Sequence, residues 1–304
     1  MWSGAGVRRY AARALQPLRA PNLRRATLVV VLAAVAALLT TAPAAFADAF
    51  SPESGGSPNA DSIDTLYWIT FILGIGVFLL VEGVLIYALV VFPMKRGGPE
   101  PIQTRGHQKL ELGWTAGASV LVLVLTVVTF VFLPGIRTPP ASDMNGYRAA
   151  AGTLFASTNQ PPLEGGERPL EIGVNGQQYL WRFDYPGARG RLFSYHEMVV
   201  PTNTTISLAI ASQDVAHSYW VPKLGGKMDA VPGHVNRTWF KATKPGIYVG
   251  QCAELCGENH ADMRNRVRAV PPEEFRRWVA EQTAGIRASQ QQLALSRRER
   301  GSNE

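Results

Sequence analysis

The sequence predicts a two-helix transmembrane hairpin followed by an all-β sandwich or barrel. Leu66–Phe92 and Gly113–Leu133 are apolar runs long enough for a hydrocarbon core, which takes about 20 helical residues. From Leu170 onward, short runs rich in β-branched and aromatic residues alternate with Gly, Pro and Asn turn signals. Hydrophobic residues fall in three blocks before position 134, and a polar, Gly- and Pro-containing region fills most of the remainder.

Residues 1–47 read as an export signal. Arg8, Arg9, Arg13, Arg19, Arg24 and Arg25 make a basic start, Leu28–Leu39 is a short apolar run, and Ala45-Phe46-Ala47 fits a small-x-small cleavage site. Pro43 argues against that run continuing into a third span. Residues 48–134 are the hairpin. Tyr67 and Trp68 stand where its first span begins, at the depth amphipathic rings favour. Asp48, Glu53, Asp61 and Asp64 precede that span, whereas Lys95, Arg96, Arg105 and Lys109 lie between the spans. The positive-inside rule puts the basic loop in the cytoplasm and everything after Pro134 outside, in agreement with an exported N-terminus. Glu82 falls inside the first span. It reads either as a functional carboxylate or as a protonated group bonded to a neighbouring subunit.

Residues 135–168 form a Pro-, Gly- and Ala-rich linker, and 169–283 the β-domain. Strands are expected at Leu170–Val174, Gln178–Tyr185, Arg191–Val199, Thr205–Ala211, Arg237–Ala242 and Gly246–Cys252. Turns are expected at Asn175-Gly176, Pro186-Gly187, Pro201-Thr202-Asn203, Pro232-Gly233 and Lys244-Pro245-Gly246. Glu273 and Glu274 mark the first turn of a helix over Pro272–Gln282. The Gln- and Arg-rich residues 284–304 read as a disordered tail.

A net charge of +7 does not make this a nucleic-acid binder. Six arginines and no acid lie in residues 1–47, and four arginines face two glutamates from Ala284 on. The folded middle is therefore close to neutral and lacks a basic patch. Only two cysteines occur, Cys252 and Cys256, which excludes a disulfide-dense scaffold. No Cys-x-x-Cys-His is present to attach haem.

Chemistry concentrates in Cys252-Ala253-Glu254-Leu255-Cys256-Gly257-Glu258-Asn259-His260-Ala261-Asp262-Met263. Thiolate and thioether are soft donors that select copper, and imidazole suits it too. A single-copper blue site needs one cysteine, so the second has no role in it. Two cysteines can instead bridge two copper ions, each completed by a histidine and a weaker ligand. A second histidine is then required. His217, at the end of an expected strand in Ala211–Trp220, is the favoured candidate, with His196 and His234 behind it; His107 lies on the cytoplasmic side. A small-loop disulfide and a zinc site with two histidines are the alternatives, and neither explains Met263.

This stretch, with His217-Ser218-Tyr219-Trp220-Val221-Pro222-Lys223-Leu224-Gly225-Gly226-Lys227, resembles subunit II of haem-copper cytochrome c oxidase over about Asp61–Trp278. The resemblance implies a cupredoxin-like Greek-key β-domain on the periplasmic side of a bacterial plasma membrane. It implies that Cys252 and Cys256 bridge the dinuclear copper centre CuA, that His217 and His260 each bind one copper, and that Met263 and the Glu254 carbonyl are the weaker ligands. The Glu254 side chain resembles a ligand to Mg²⁺ shared with subunit I. Asp214 and Asp229 match acidic positions near the docking face for a c-type cytochrome, and Glu111 a carboxylate at the mouth of a proton path. The implied partners are subunit I, the other oxidase subunits, the cytochrome donor and the membrane.

One motif departs from the family. Its usual Gly-His-Gln-Trp-x-Trp is here Gly176-Gln177-Gln178-Tyr179-Leu180-Trp181, so Tyr179 stands where the first Trp normally receives the electron, and Tyr179 or Trp181 takes that role. A quinol oxidase subunit, which has lost the copper ligands, is disfavoured because all six positions are present. A membrane-anchored copper carrier is disfavoured by the two spans and Glu254.

Overall fold

The structure is a computed structural model that describes residues 51–93, 103–147, 169–185 and 192–301. The expected export signal, Lys95 and Arg96 of the basic loop, most of the linker and the expected Pro186-Gly187 turn lie outside the described residues. Two long helices come first, α1 (Pro58–Val91) and α2 (Gln108–Arg137). Both are long and apolar enough to cross a membrane, and neither buries its most apolar window within this chain. That much bare hydrocarbon surface needs lipid or other subunits around it. Each helix extends beyond its apolar run at the end nearer the β-domain. Pro58 sits in the first turn of α1, where its missing N–H costs nothing. Helix α2 carries Pro134 near its end and stops at Arg137.

Two five-stranded sheets follow, as an all-β sandwich. The first has the order β3 (Leu192–Tyr195), β2 (Leu180–Tyr185), β1 (Leu170–Gln177), β5 (Ile206–Ser212), β8 (Asn236–Phe240). The second runs β4 (Glu197–Pro201), β10 (Arg264–Val270), β9 (Gly246–Cys252), β6 (His217–Trp220), β7 (Met228–Ala230). The pairs β1–β5 and β10–β4 are parallel and the others antiparallel, so the chain passes repeatedly between sheets as a Greek key does. Along β1 every second residue is buried, the period-2 pattern of a strand with one face inward. Ile172, Trp181, Phe183, Met198, Ile206 and Ile210 fill the space between the sheets. Phe275, at the start of α3 (Pro272–Gly301), is also fully buried in this core.

Four strand assignments shift. Asn175-Gly176, expected as a turn, is inside β1 and pairs with Arg182 and Trp181. The turn falls instead on Gln178-Tyr179, so β2 begins at Leu180. The run from Arg191 to Val199 breaks at His196, whose φ of 59° is left-handed. His217 opens β6 rather than ending a strand. Strand β10 was not foreseen. Its outward residues Arg264 and Arg266 are charged, and inward Asn265 breaks the apolar alternation. The last helix passes Gln282 and continues to Gly301, where a disordered tail was expected; Ala, Leu, Gln and Arg are strong helix formers and no proline intervenes.

The outer ends of the two membrane helices are bonded to the free edge of the first sheet. Asn59 Nδ2 donates to the Trp239 carbonyl at 2.8 Å, and Lys241 N donates to Ser57 Oγ at 3.0 Å. Trp239 Nε1 donates to the Ile136 carbonyl at 2.9 Å. Ser57 and Asn59 are both buried. Edge strand β8 is thereby covered rather than left as a template for another chain.

Candidate metal centre

Three segments build the site: the β1–β2 turn, the start of β6 with the turn before it, and the loop from Cys252 to Met263 joining β9 to β10. Pairing of Tyr219 with Cys252 brings β6 beside the end of β9. His217, two residues earlier on β6, then faces the loop. The loop is closed at its base, because Cys252 N donates to the Met263 carbonyl at 3.0 Å and Ala253 N to the Ser218 carbonyl at 2.9 Å.

Within that frame the donors sort around two sulfurs. Cys252 Sγ and Cys256 Sγ are 4.0 Å apart, far beyond the about 2 Å of a disulfide. Cys252 Sγ lies 3.9 Å from His217 Nδ1 and 3.2 Å from the Glu254 carbonyl oxygen. Cys256 Sγ lies 3.6 Å from His260 Nδ1 and 3.7 Å from Met263 Sδ. Each half thus has one thiol, one imidazole and one weak donor. His217, Met263 and both cysteines are buried, whereas His260 is half-exposed. A lone tetrahedral zinc would use the two cysteines and two histidines and would leave Met263 unused against Cys256.

Burial and the neighbouring Cys252 push the Cys256 thiol up to about 11, so without a metal this sulfur keeps its proton at neutral pH. His217 is oriented from behind. Its Nε2 lies 2.8 Å from Asp214 Oδ1, which leaves Nδ1 as the ligating nitrogen. Burial disfavours the Asp214 carboxylate, but bonds from Gln178 N, His217 and Val215 N outweigh it and hold its pKa at about 2. The donor set, with its soft sulfurs and imidazoles in two matched halves, fits a pair of copper ions.

A family described as "Cytochrome C oxidase subunit II, periplasmic domain" matches residues 186–270. Cytochrome c oxidase subunit 2 of Alkalihalophilus pseudofirmus is 31% identical over 264 residues, covering 83% of this chain and 70% of that protein. The Synechocystis counterpart is 33% identical, covering 74% of this chain and 73% of that protein. The chain belongs to the cytochrome c oxidase subunit II family. Among solved structures, the periplasmic domain of subunit II from Bradyrhizobium japonicum is 37% identical, covering 38% of this chain and 94% of that one, with a TM-score of 0.36. As a member of the subunit II family, this chain is one component of an oxidoreductase assembly, a membrane subunit with an outer domain.

The remaining candidate residues of this subunit II fall in different places. Asp214 belongs to the metal centre through His217. Asp229 is exposed on β7, paired across from Ser218. Trp181 is fully buried, its ring centroid 5.9 Å from that of His217, while Tyr179 is half-exposed on the β1–β2 turn. Glu111 caps its own helix: its Oε1 accepts from His107 N at 2.9 Å, while His107 Nδ1 accepts from Leu110 N at 3.1 Å. His196 and His234 take no part in the cluster of donors.

Two residues at the site were not singled out from sequence. A Cβ on Gly176 would stand 2.9 Å from the His217 ring, so only glycine allows the imidazole to lie against β1. Gln178 Nε2 donates to the Cys256 carbonyl at 2.7 Å. Both belong to the motif compared with the family's Gly-His-Gln-Trp-x-Trp, and that motif was the available signal.

Proposed function

We propose that this chain receives electrons from a c-type cytochrome outside a bacterial plasma membrane and delivers them to haem in subunit I, where oxygen is reduced to water. The observation that carries this reading is the sorting of six donors into two matched halves about two unjoined sulfurs. Cys252 and Cys256 would bridge the copper pair, His217 and His260 would each complete one ion, and Met263 and the Glu254 carbonyl would each supply one ion's weaker ligand. Bound there, the pair shares one electron between both ions and changes shape little on gaining or losing it.

The protein's own groups hold that arrangement still. Asp214 fixes the His217 ring, Gly176 leaves room for it, and burial keeps water from the two sulfurs, His217 and Met263. Tyr179 is the aromatic that reaches the surface where a donor docks, with Trp181 behind it against His217. Asp229 supplies exposed negative charge for a basic cytochrome, and the Asp214 carboxylate adds to the same field. The Glu254 side chain is exposed and suited to hold Mg²⁺ at the contact with subunit I. Glu111, at the cytoplasmic start of α2, would collect protons for subunit I. Residues 1–47 would direct export.

Metal analysis tests the central claim. The intact, copper-loaded protein should hold two copper ions per chain, with purple absorption and a seven-line EPR pattern. One ion or none per chain, with the thiols joined, would overturn it.

A further inference from the structure

Tyr179, which stands where the family motif has its first Trp, makes contacts beyond those an electron-entry aromatic needs. Tyr179 Oη accepts a hydrogen bond from the Glu258 backbone N–H at 3.1 Å. It sits over Gly257, where a Cβ would stand only 2.6 Å from the phenol oxygen and 3.0 Å from Gln178 Nε2. Gly257 also has φ of +128°, so its lack of a side chain is needed both for the backbone and for this seating. These two residues are the centre of the stretch that joins Cys256 to His260.

The same turn reaches the other half of the site. Gln178 N donates to Asp214 Oδ2 at 2.7 Å, and Asp214 holds His217. Gln177 Nε2 donates to Gln213 Oε1 at 2.6 Å, which ties the turn to the segment leading into His217. Among the described residues, Gln178 and Tyr179 therefore grip the His217 arm and the Cys256–His260 arm together. An indole could not replace the phenol here. The indole nitrogen only donates, and the Glu258 N–H needs an acceptor.

We infer, resting on the copper reading above, that Tyr179 is a positioning residue for the metal centre, its hydroxyl pinning the Cys256–His260 stretch while Gln178 joins that stretch to the His217 arm. The phenol oxygen, rather than the ring, is the working part. Both the side-chain amide of Gln178 and the hydroxyl of Tyr179 act on backbone atoms of the loop, so their effect on the ions passes through Cys256 and His260.

The test uses the full-length, copper-loaded protein and its Tyr179→Phe, Tyr179→Trp and Gln178→Ala variants. Copper loss to a chelator is followed by the decay of the purple absorption, and the melting of each metal-free chain is measured beside it. All three variants should lose copper about fivefold faster than the parent, the worth of one net hydrogen bond, while their metal-free chains melt with the parent. Tyr179→Phe and Tyr179→Trp should behave alike, since both lack the acceptor. Parental copper retention in Tyr179→Phe, or a metal-free destabilisation large enough to account for the loss, would overturn the inference. Failure of the parent to bind two coppers would instead overturn the reading on which it rests.

Discussion

His217 and His260 each face a cysteine sulfur through Nδ1, at 3.9 and 3.6 Å, yet their settings differ. His217 is wholly buried at the head of a strand, bonded behind to Asp214 and fitted against Gly176. His260 stands half-exposed on a one-turn 3-10 segment (His260–Asp262), and no protein group among the described residues bonds its other nitrogen. One half of the centre is framed by the sandwich, and the other is carried by a loop closed at its two ends. A pair of ions needs both halves in register. On the copper reading proposed above, the strand half would define where the metals sit and the loop half would close on them.

Replacing each histidine in turn gives the largest expected contrast. His217→Ala removes a buried ring, empties the space beside Gly176 and takes away the imidazole bonded to Asp214 Oδ1. It should abolish the dinuclear spectrum and also lower the stability of the metal-free domain, by roughly 2–4 kcal/mol. His260→Ala should abolish the same spectrum with metal-free stability within about 0.5 kcal/mol of the parent, as for substitutions away from buried networks. Chemical denaturation of the metal-free chains, alongside copper analysis, reads both. Equal stability losses in the two variants would erase the distinction between framed and looped halves.

That contrast also separates what the sequence discloses from what it does not. The loop is contiguous, so Cys252, Cys256, His260 and Met263 announce themselves by spacing. The framed half is assembled from three segments, and only His217 stood out among several histidines. The role of Gly176 was invisible because glycine beside asparagine reads as a turn, and the need for an empty Cβ position appears only once β1 lies against β6. Asp214 was expected at a docking face, and its bond to His217 could not be read while the strand start was misplaced. Both membrane helices were legible from length and apolarity alone. Strand β10 was not, because its arginines face outward and its inward side includes Asn265.

Asp214→Asn sharpens the comparison from the framed side at smaller cost. The amide still fits, but it no longer supplies the carboxylate that orients His217 and raises its basicity as a ligand. Loss of such an outer partner typically weakens metal binding 10–100-fold. Copper affinity, measured by competition with a chelator, should fall within that range, and the dinuclear spectrum should return at higher copper concentration. Unchanged affinity would show that β6 and Gly176 alone hold the ring.

Met263→Leu probes the looped half with the least disturbance. Met263 is fully buried beside Cys256, and leucine conserves its volume, so the metal-free domain should lose less than about 1.5 kcal/mol. The thioether is a weak ligand, and in copper sites the weak axial ligand tunes potential more than it decides whether metal binds. The variant should therefore keep two coppers per chain while its reduction potential shifts and its EPR pattern departs from seven even lines, because only one of the two ions has changed surroundings. A variant with two coppers and an unaltered spectrum would mean that Met263 serves the core alone, and that the two halves are matched by His and Cys without it.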